Sequence, residues 1–157
     1  MEGLVGKRII ITGGTLGIGY RTAATLIEAG AHVAITGRDS ARVQQAANEL
    51  GAHGISADVS QIEDIDRSFA EALDHLGGLD CLINNAGIGC HKPLIEIAPE
   101  DLESVFRVNV FGALYMAQRA AKIFIDQNFG DIVNIASTAG LRGYAGGSIY
   151  SASKFAL

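Results

Sequence analysis

The segment Arg8–Gly19, RIIITGGTLGIG, decides the fold, because a short apolar run leads directly into a glycine-rich loop. The run RIIIT (8–12) has the length and apolar content of a buried strand. Gly13, Gly17 and Gly19 follow with the spacing G-x-x-x-G-x-G, and they open a predicted helix. A strand, a glycine loop and a helix in this order predict the first unit of a parallel α/β fold.

Four further apolar runs continue this pattern along the chain. Strands are predicted at HVAIT (32–36), HGISA (53–57), CLIN (81–84) and DIVNIA (131–136). Between them, apolar residues recur with helical spacing, as in 43–50 and 62–76, which indicates amphipathic helices. Apolar strands that alternate with helices predict a parallel sheet covered on both faces. We therefore expect a doubly wound, Rossmann-type three-layer α/β fold.

The composition is that of an ordinary globular protein, and we treat 1–157 as a single domain. The chain is 48% hydrophobic, with a net charge of -5, which argues against a nucleic-acid-binding face. It has no apolar run of membrane-spanning length and no secretory signal pattern at its start. We therefore expect neither a nucleic-acid nor a membrane partner. Because Cys81 and Cys90 do not suggest a disulfide scaffold, we expect a cytoplasmic protein.

The glycine loop is suited to bind a pyrophosphate. Gly13 permits a tight turn, Gly17 lets the backbone approach the phosphates, and Gly19 lets the helix lie close to the sheet. The free N–H groups at the helix N-terminus would face the anion. Glycines also form plain turns, but the strand–loop–helix context favours dinucleotide binding.

The residues after the second strand bear on which dinucleotide is bound. In TGRDS (36–40), Gly37 has no side chain to contact a ribose, and Arg38 follows it. An arginine here can pair with a 2′-phosphate, whereas an acid would favour NAD(H). Asp39 is interpreted as the N-cap of the next helix, and Arg38 has the alternative of a solvated surface charge. The segment favours NADP(H), with NAD(H) as the alternative.

Four polar residues interrupt the apolar pattern. Asn109 lies on the apolar stripe of a long helical segment, 99–127, and Ser137 follows the fifth strand. Tyr150 and Lys154 are four residues apart and share one face of a predicted helix. Singly, each has a structural alternative: a satisfied amide, a turn serine or an exposed helix pair. Together, Ser137, Tyr150 and Lys154 lie beyond a carboxyl strand end, where open α/β sheets bind ligands.

The combination of motifs resembles the short-chain dehydrogenase/reductase family, in its common, non-extended form, over essentially the whole chain. The motifs are TGGTLGIG (12–19), ADVS (57–60), NNAG (84–87), the helix asparagine, the serine and the Y-x-x-x-K pair. The resemblance implies cofactor contacts from Gly13, Thr15, Leu16, Gly17, Ile18, Gly19, Arg38, Asp58, Val59, Asn85, Ala86, Gly87, Tyr150 and Lys154. It places Asp58 at the adenine amino group, and Leu16 where NADP-preferring members often carry a basic residue.

The resemblance also implies an oxidoreductase that acts on a small carbonyl compound or alcohol. Tyrosine, with a pKa of about 10, is a poor base at neutral pH, and a neighbouring ammonium favours its phenolate. Tyr150 would exchange a proton with the substrate oxygen while hydride moves to or from the nicotinamide, and Ser137 would orient that oxygen. Lys154 is expected to hold the nicotinamide ribose as well, and Asn109 to fix a water of the proton relay. No metal is expected, since the histidines show no ligand spacing.

Members of this family continue beyond the Tyr150 helix with further strands and a substrate lid. We therefore expect 1–157 to be the N-terminal portion of a longer enzyme, truncated after the fifth strand and the start of the next helix. The alternatives are a non-catalytic nucleotide-binding or scaffold fragment, and an NAD-dependent alcohol dehydrogenase of the same family.

Two further expectations concern surfaces. A homodimer or homotetramer is expected, because 99–127 carries apolar groups on more than one face and the family pairs this helix and the Tyr150 helix across a two-fold axis. Residues 87–97 are predicted to form one wall of the site. Cys90 and His91 are interpreted as loop surface, with contact to the substrate as the alternative.

Overall fold

The computed structural model describes residues 3–157, so residues 1 and 2 of the predicted domain lie outside the described part. Its strands are β1 (Arg8–Thr12), β2 (His32–Gly37), β3 (His53–Ser56), β4 (Cys81–Asn84) and β5 (Asp131–Asn134). Its α-helices are α1 (Gly17–Glu28), α2 (Ser40–Leu50), α3 (Ile62–Leu76), α4 (Pro99–Phe106), α5 (Ala113–Gln127) and α6 (Ser148–Ala156). A π-helical segment, Arg107–Gly112, joins α4 to α5, and short 3₁₀ turns occupy Leu94–Glu96 and Thr138–Gly140.

The strands form one parallel sheet in the order β3-β2-β1-β4-β5. The chain builds from β1 toward one edge and then returns to place β4 on the other side of β1. The strand order therefore reverses between β1 and β4, and their carboxyl ends open a crevice at that point. This arrangement confirms the predicted doubly wound fold.

The core has two layers, one on each face of the sheet, because successive side chains of a strand point to opposite faces. Ile9 and Ile11 pack with residues of α1 and α2, while Ile10 packs with residues of α3 and α5. All three isoleucines are at most 2% exposed. Burial of each such side chain stabilises the fold by about 1.5–3 kcal/mol before the entropic cost of folding.

An ion pair ties the start of β1 to the start of β4. The Arg8 guanidinium contacts both carboxylate oxygens of Asp80 at 2.9 Å and also donates to the carbonyl of Gly77. A Cβ at Gly78 would overlap the guanidinium, so this position requires glycine. The hydrogen bond from Arg8 lowers the pKa of Asp80 from its ordinary 3.8 to about 2.

Several predicted boundaries differ from the structure. The predicted third strand (53–57) ends at Ser56 and the predicted fifth strand (131–136) ends at Asn134, while the second extends to Gly37. Ala57 and Ile135 still donate single backbone hydrogen bonds to the neighbouring strands, but the regular ladders stop before them. The predicted helix 99–127 is continuous in direction but contains the π-helical segment. Strand ends and helix irregularities depend on tertiary contacts that periodicity does not report.

Within residues 3–157, no helix combines the length and hydropathy that a membrane crossing requires. Cys81 and Cys90 are free thiols.

Candidate active site

A cleft of about 800 Å³ opens at the carboxyl ends of β1, β2 and β4. Most of the predicted cofactor contacts line it: Gly13, Thr15, Leu16, Gly17, Ile18, Arg38, Asp58, Val59, Asn85, Ala86 and Gly87. Gly19, Tyr150 and Lys154 are not among the lining residues. The structure thus collects residues from four separate sequence motifs at the crevice that the strand order creates.

The three glycines of the loop suit their positions for different physical reasons. Gly13 has φ +66°, and a Cβ there would lie 2.9 Å from the Cα of Ala86. A Cβ at Gly19 would overlap the carbonyl oxygen of Gly13 and the amide of Asn85. Gly17 has φ +58° and faces open space, with no atom within 4 Å of a Cβ placed on it. Gly13 and Gly19 therefore permit close packing, and Gly17 leaves room for a ligand at the helix start.

The start of α1 suits an anion. No side chain caps its first turn, and the first turn contains no acidic residue. Its N–H groups therefore remain available, next to the open space at Gly17. These features fit the pyrophosphate of a dinucleotide.

Thr12 and Asn85 fix the glycine loop to the segment after β4. The buried Thr12 hydroxyl accepts hydrogen bonds from the backbone N–H groups of Asn85 (3.1 Å) and Ala86 (3.0 Å). The Asn85 amide donates to the carbonyls of Thr12 and Gly13, each at 2.9 Å. The side chain of Asn85, predicted as a cofactor contact, is thus directed to the loop itself. The sequence reasoning missed Thr12, although a polar residue at the end of an apolar strand was a visible signal.

The Asp58 segment forms another part of the cleft wall. One Asp58 carboxylate oxygen accepts from the N–H of Ser60 at 2.9 Å, and the Asp58 N–H donates to Asp64 at 2.8 Å. Val59 is buried, and its carbonyl oxygen would lie 2.5 Å from a Cβ at Gly112. Gly112 thus lets the π-helical segment approach this wall closely.

Two arginines line the cleft beyond β2. Arg38 was predicted there, whereas Arg42, one helical turn further along the chain, was missed. The predicted N-cap is confirmed, because an Asp39 carboxylate oxygen accepts from the N–H of Arg42 at 3.0 Å. A Cβ at Gly37 would lie 2.7 Å from the Thr15 side chain, so a larger residue at this position would require Thr15 to move.

Tyr150 and Lys154 lie together on α6, as their spacing predicted. The Lys154 Nζ is 5.9 Å from the centre of the Tyr150 ring and donates a 2.7 Å hydrogen bond to the carbonyl of Ile135. Lys154 is only 7% exposed, and its burial lowers the pKa of the ammonium. The hydrogen bond compensates in part for the lost hydration, and it directs the cation to the end of β5.

Asn109 connects the loop after β4 to α6. Its Oδ1 accepts from the N–H of Ile88 at 2.8 Å, and its Nδ2 donates to the Ile88 carbonyl and to the Ser153 hydroxyl. A Cβ at Gly87 would lie 3.4 Å from Asn109 Oδ1 and 3.7 Å from Lys154 Nζ. The structure therefore brings Asn109 and Lys154 together around Gly87, and the π-helical turn presents the amide there.

Ser137 lies at the start of the turn that follows β5. Its half-buried hydroxyl accepts a 3.1 Å hydrogen bond from the N–H of Ala139. Within residues 3–157 it makes no hydrogen bond to Tyr150. A Cβ at Gly140 would lie 2.6 Å from the carbonyl oxygen of Lys154, so this turn packs directly on α6. Ser137 thus lies at the start of a turn that packs against α6.

Comparisons with known proteins identify close relatives over nearly the whole chain. The family model described as short chain dehydrogenase matches residues 7–157. The chain is 36% identical to a 3-oxoacyl-[acyl-carrier-protein] reductase of Aquifex aeolicus, covering 98% of this chain and 64% of that protein. It is 40% identical to a sorbitol dehydrogenase of Cereibacter sphaeroides, covering 98% of this chain and 61% of that protein. The chain therefore spans somewhat less than two thirds of these relatives.

Solved structures agree with this similarity. A 3-ketoacyl-(acyl-carrier-protein) reductase from Brucella melitensis, complexed with NADH, superimposes with a TM-score of 0.92 at 35% identity. That alignment covers 98% of this chain and 66% of the other. An NAD⁺-bound xylitol dehydrogenase gives a TM-score of 0.91 at 31% identity, covering 99% of this chain and 62% of the other.

Proposed function

Since the chain belongs to the short-chain dehydrogenase family, we propose that its protein is an NADP(H)-dependent oxidoreductase for carbonyl compounds and secondary alcohols. One observation carries the proposal. The buried Lys154 ammonium lies 5.9 Å from the Tyr150 ring, and it meets Asn109 around Gly87, which lines the dinucleotide-sized cleft. A proton-transfer group therefore adjoins a cofactor site.

Tyr150 is proposed as the general acid and base. Lys154 holds a positive charge next to the Tyr150 ring, with its Nζ 5.9 Å from the ring centre. In the reductive direction Tyr150 gives its proton to the substrate oxygen, and in the oxidative direction it removes one. Ser137 is proposed to hold the same oxygen by a hydrogen bond. The bound nicotinamide supplies or accepts the hydride.

Lys154 and Asn109 are proposed to support this proton transfer. Lys154 holds the ribose hydroxyls next to the nicotinamide and keeps the positive charge at Tyr150. Both amide N–H groups of Asn109 donate to the protein, one to the Ile88 carbonyl and one to the Ser153 hydroxyl. Its Oδ1 accepts from the Ile88 N–H and has a second lone pair that can accept from a water. The Ser153 hydroxyl in turn donates to the Tyr150 carbonyl at 2.7 Å, so Asn109 also positions α6.

The residues of the cleft fit a nicotinamide dinucleotide. The open space at Gly17 and the uncapped start of α1 suit the pyrophosphate. The Asp58 carboxylate, fixed by Ser60, suits the adenine amino group. Arg38 and Arg42 suit a 2′-phosphate and favour NADP(H).

NAD(H) is the alternative, for two reasons. Asp39 lines the same cleft, and its carboxylate is 4.0 Å from the Arg42 guanidinium, which it partly neutralises. The B. melitensis reductase and the xylitol dehydrogenase were crystallised with NADH and NAD⁺.

We also propose a homodimer or homotetramer, in which helix 99–127 and α6 face their copies. The outer faces of these helices expose large apolar side chains, with Phe111 47%, Leu114 61% and Phe155 57% exposed. Apolar groups of this size are normally covered by a partner when they cluster.

The test of the catalytic proposal uses the full-length protein that contains this chain. Oxidation of NADPH or NADH is followed with a panel of ketones and aldehydes, and the reverse reaction with the matching alcohols. Tyr150→Phe keeps the ring but removes the transferable proton, so turnover should fall by at least about a hundredfold while cofactor affinity stays close to wild type. Cofactor binding with no turnover on the whole panel would favour a non-catalytic binding protein. Near-normal turnover in Tyr150→Phe would refute the proton role.

A further inference from the structure

The imidazole of His91 lies between two tyrosine rings. Its centre is 6.1 Å from the centre of Tyr144 and 6.3 Å from that of Tyr150. The His91 Nδ1 is 3.3 Å from the Tyr144 hydroxyl oxygen, within hydrogen-bonding distance. A polar group therefore lies next to the proposed proton donor, in a segment for which loop surface was the first interpretation and substrate contact the alternative.

The residue that follows His91 is held in place by two sets of contacts. The N–H of Lys92 donates to the carbonyl of Gly146 at 3.0 Å, which joins the His91 loop to the loop that carries Tyr144. The Lys92 ammonium contacts both carboxylate oxygens of Asp101, at 2.7 and 2.8 Å, near the start of α4. Its charge is thus neutralised locally, and the loop is tied to two elements of the fold.

The rings of Tyr144 and His91 also pack against glycines. A Cβ at Gly147 would overlap the hydroxyl-bearing end of the Tyr144 ring, so that ring packs closely against the start of α6. A Cβ at Gly89 would lie 3.1 Å from His91 Nε2, so the imidazole packs against the loop backbone. The positions of both side chains are therefore set by close packing, although both side chains are exposed.

This arrangement leaves a hydrogen-bonding atom of His91 for a ligand. When the Tyr144 hydroxyl donates to Nδ1, the neutral imidazole carries its proton on Nε2. Within residues 3–157, Nε2 makes no hydrogen bond to the protein. His91, whose ring centre is 6.3 Å from that of Tyr150, thus keeps a donor available on the wall of the site that residues 87–97 are predicted to form.

We propose that His91, positioned by Tyr144, determines substrate specificity by hydrogen bonding a second oxygen of the substrate. That oxygen lies close to the carbonyl or alcohol group that Tyr150 serves, so the favoured substrates are hydroxy ketones, diketones and the corresponding diols. The inference rests on the proposed function, because it takes Tyr150 as the group that meets the reacting oxygen. His91 adds selectivity between substrates, and Tyr144 acts through His91.

The test compares two ketones of the same ring size, 2-hydroxycyclohexanone and cyclohexanone, with the full-length protein and either reduced nicotinamide. The measured quantity is the ratio of their kcat/KM values. The wild type should favour the hydroxy ketone. His91→Phe should lower this ratio about tenfold, the effect of one lost hydrogen bond, and Tyr144→Phe should lower it by less. His91→Gln, which keeps a donor, should restore part of the ratio.

His32→Phe is the matched control, because His32 is exposed at the opposite, amino end of β2. It should leave the ratio unchanged. Equal kcat/KM values for the two ketones in the wild type, or an unchanged ratio in His91→Phe, would overturn the inference and leave the proposed function standing. Absence of turnover with both ketones would also overturn the inference. The proposed function falls only if the complete ketone and aldehyde panel gives no turnover.

Discussion

Lys154 and Ile135 are joined by a 2.7 Å hydrogen bond from the ammonium to the backbone carbonyl. The bond links α6 to the residue that follows β5, across the gap between a helix and the end of the sheet. It fixes the position of the ammonium relative to Tyr150, which lies one helical turn earlier on the same face of α6. The relative positions of the Tyr150 phenol and the Lys154 ammonium are therefore set by the sheet as well as by helical spacing.

Replacement of Lys154 by methionine should reduce both turnover and cofactor affinity. Methionine has a similar length and fills the buried space, but it removes both the positive charge proposed to act with Tyr150 and the proposed ribose contact. Turnover should fall at least about tenfold, measured by steady-state kinetics, with weaker cofactor binding measured by calorimetry. Lys122→Met, on the exposed surface of α5, is the matched control and should change neither. A Lys154→Met enzyme with normal kinetics would contradict the assignment.

Replacement of Arg38 by alanine should weaken NADPH binding and leave NADH binding nearly unchanged. Only NADPH carries the 2′-phosphate that the guanidinium would contact, and loss of such a contact should raise the Kd about tenfold. Arg42→Ala should act in the same direction, because Arg42 lines the same part of the cleft. Arg21→Ala, exposed on α1 and outside the cleft lining, serves as the control. Equal loss for both cofactors, or tighter NADH binding by the wild type, would show that NADP(H) is not preferred.

The Arg8–Asp80 ion pair should make stability depend on pH in the acid range. The pKa of Asp80 is about 2 in the folded protein and 3.8 ordinarily, so folding favours the ionised carboxylate. Its contribution, about 1–2 kcal/mol after allowance for solvent screening, is therefore complete above pH 4–5 and is lost as pH falls toward 2. Asp80→Asn should flatten this part of the unfolding free-energy profile. Asp74→Asn, exposed on α3, should leave it as in the wild type, and identical profiles for the two variants would contradict the argument.

The proposed assembly predicts that a charge on the outer face of helix 99–127 disrupts oligomers. Leu114 is 61% exposed there, so Leu114→Glu should leave the fold intact but raise the subunit dissociation constant at least about tenfold. Sedimentation of the full-length protein at several concentrations measures the effect. Ile62→Glu, at the start of α3, is a control with an exposed apolar residue outside that face. A wild type that is monomeric at micromolar concentration would refute the proposal.

The sequence alone determined the order of strands and helices and the doubly wound fold. Apolar runs and helical periodicity are local properties, and the glycine spacing after β1 reports a tight turn that only glycine permits. The placement of Tyr150 beside Lys154 was also predictable, because four residues make about one helical turn wherever the helix lies. The cofactor contacts were predicted from the family motifs, and most of these residues line the cleft.

Other features required the tertiary structure. Three contacts join residues that are far apart in the chain. They are the approach of Asn109 and Lys154 around Gly87, the hydrogen bond from Lys154 to Ile135, and the contact between His91 and Tyr144. No periodicity encodes these distances, because they depend on how the sheet order and helix packing bring separate loops to one edge. The π-helical turn at Asn109 and the early end of β5 have the same origin, since local backbone geometry there is adjusted to long-range contacts.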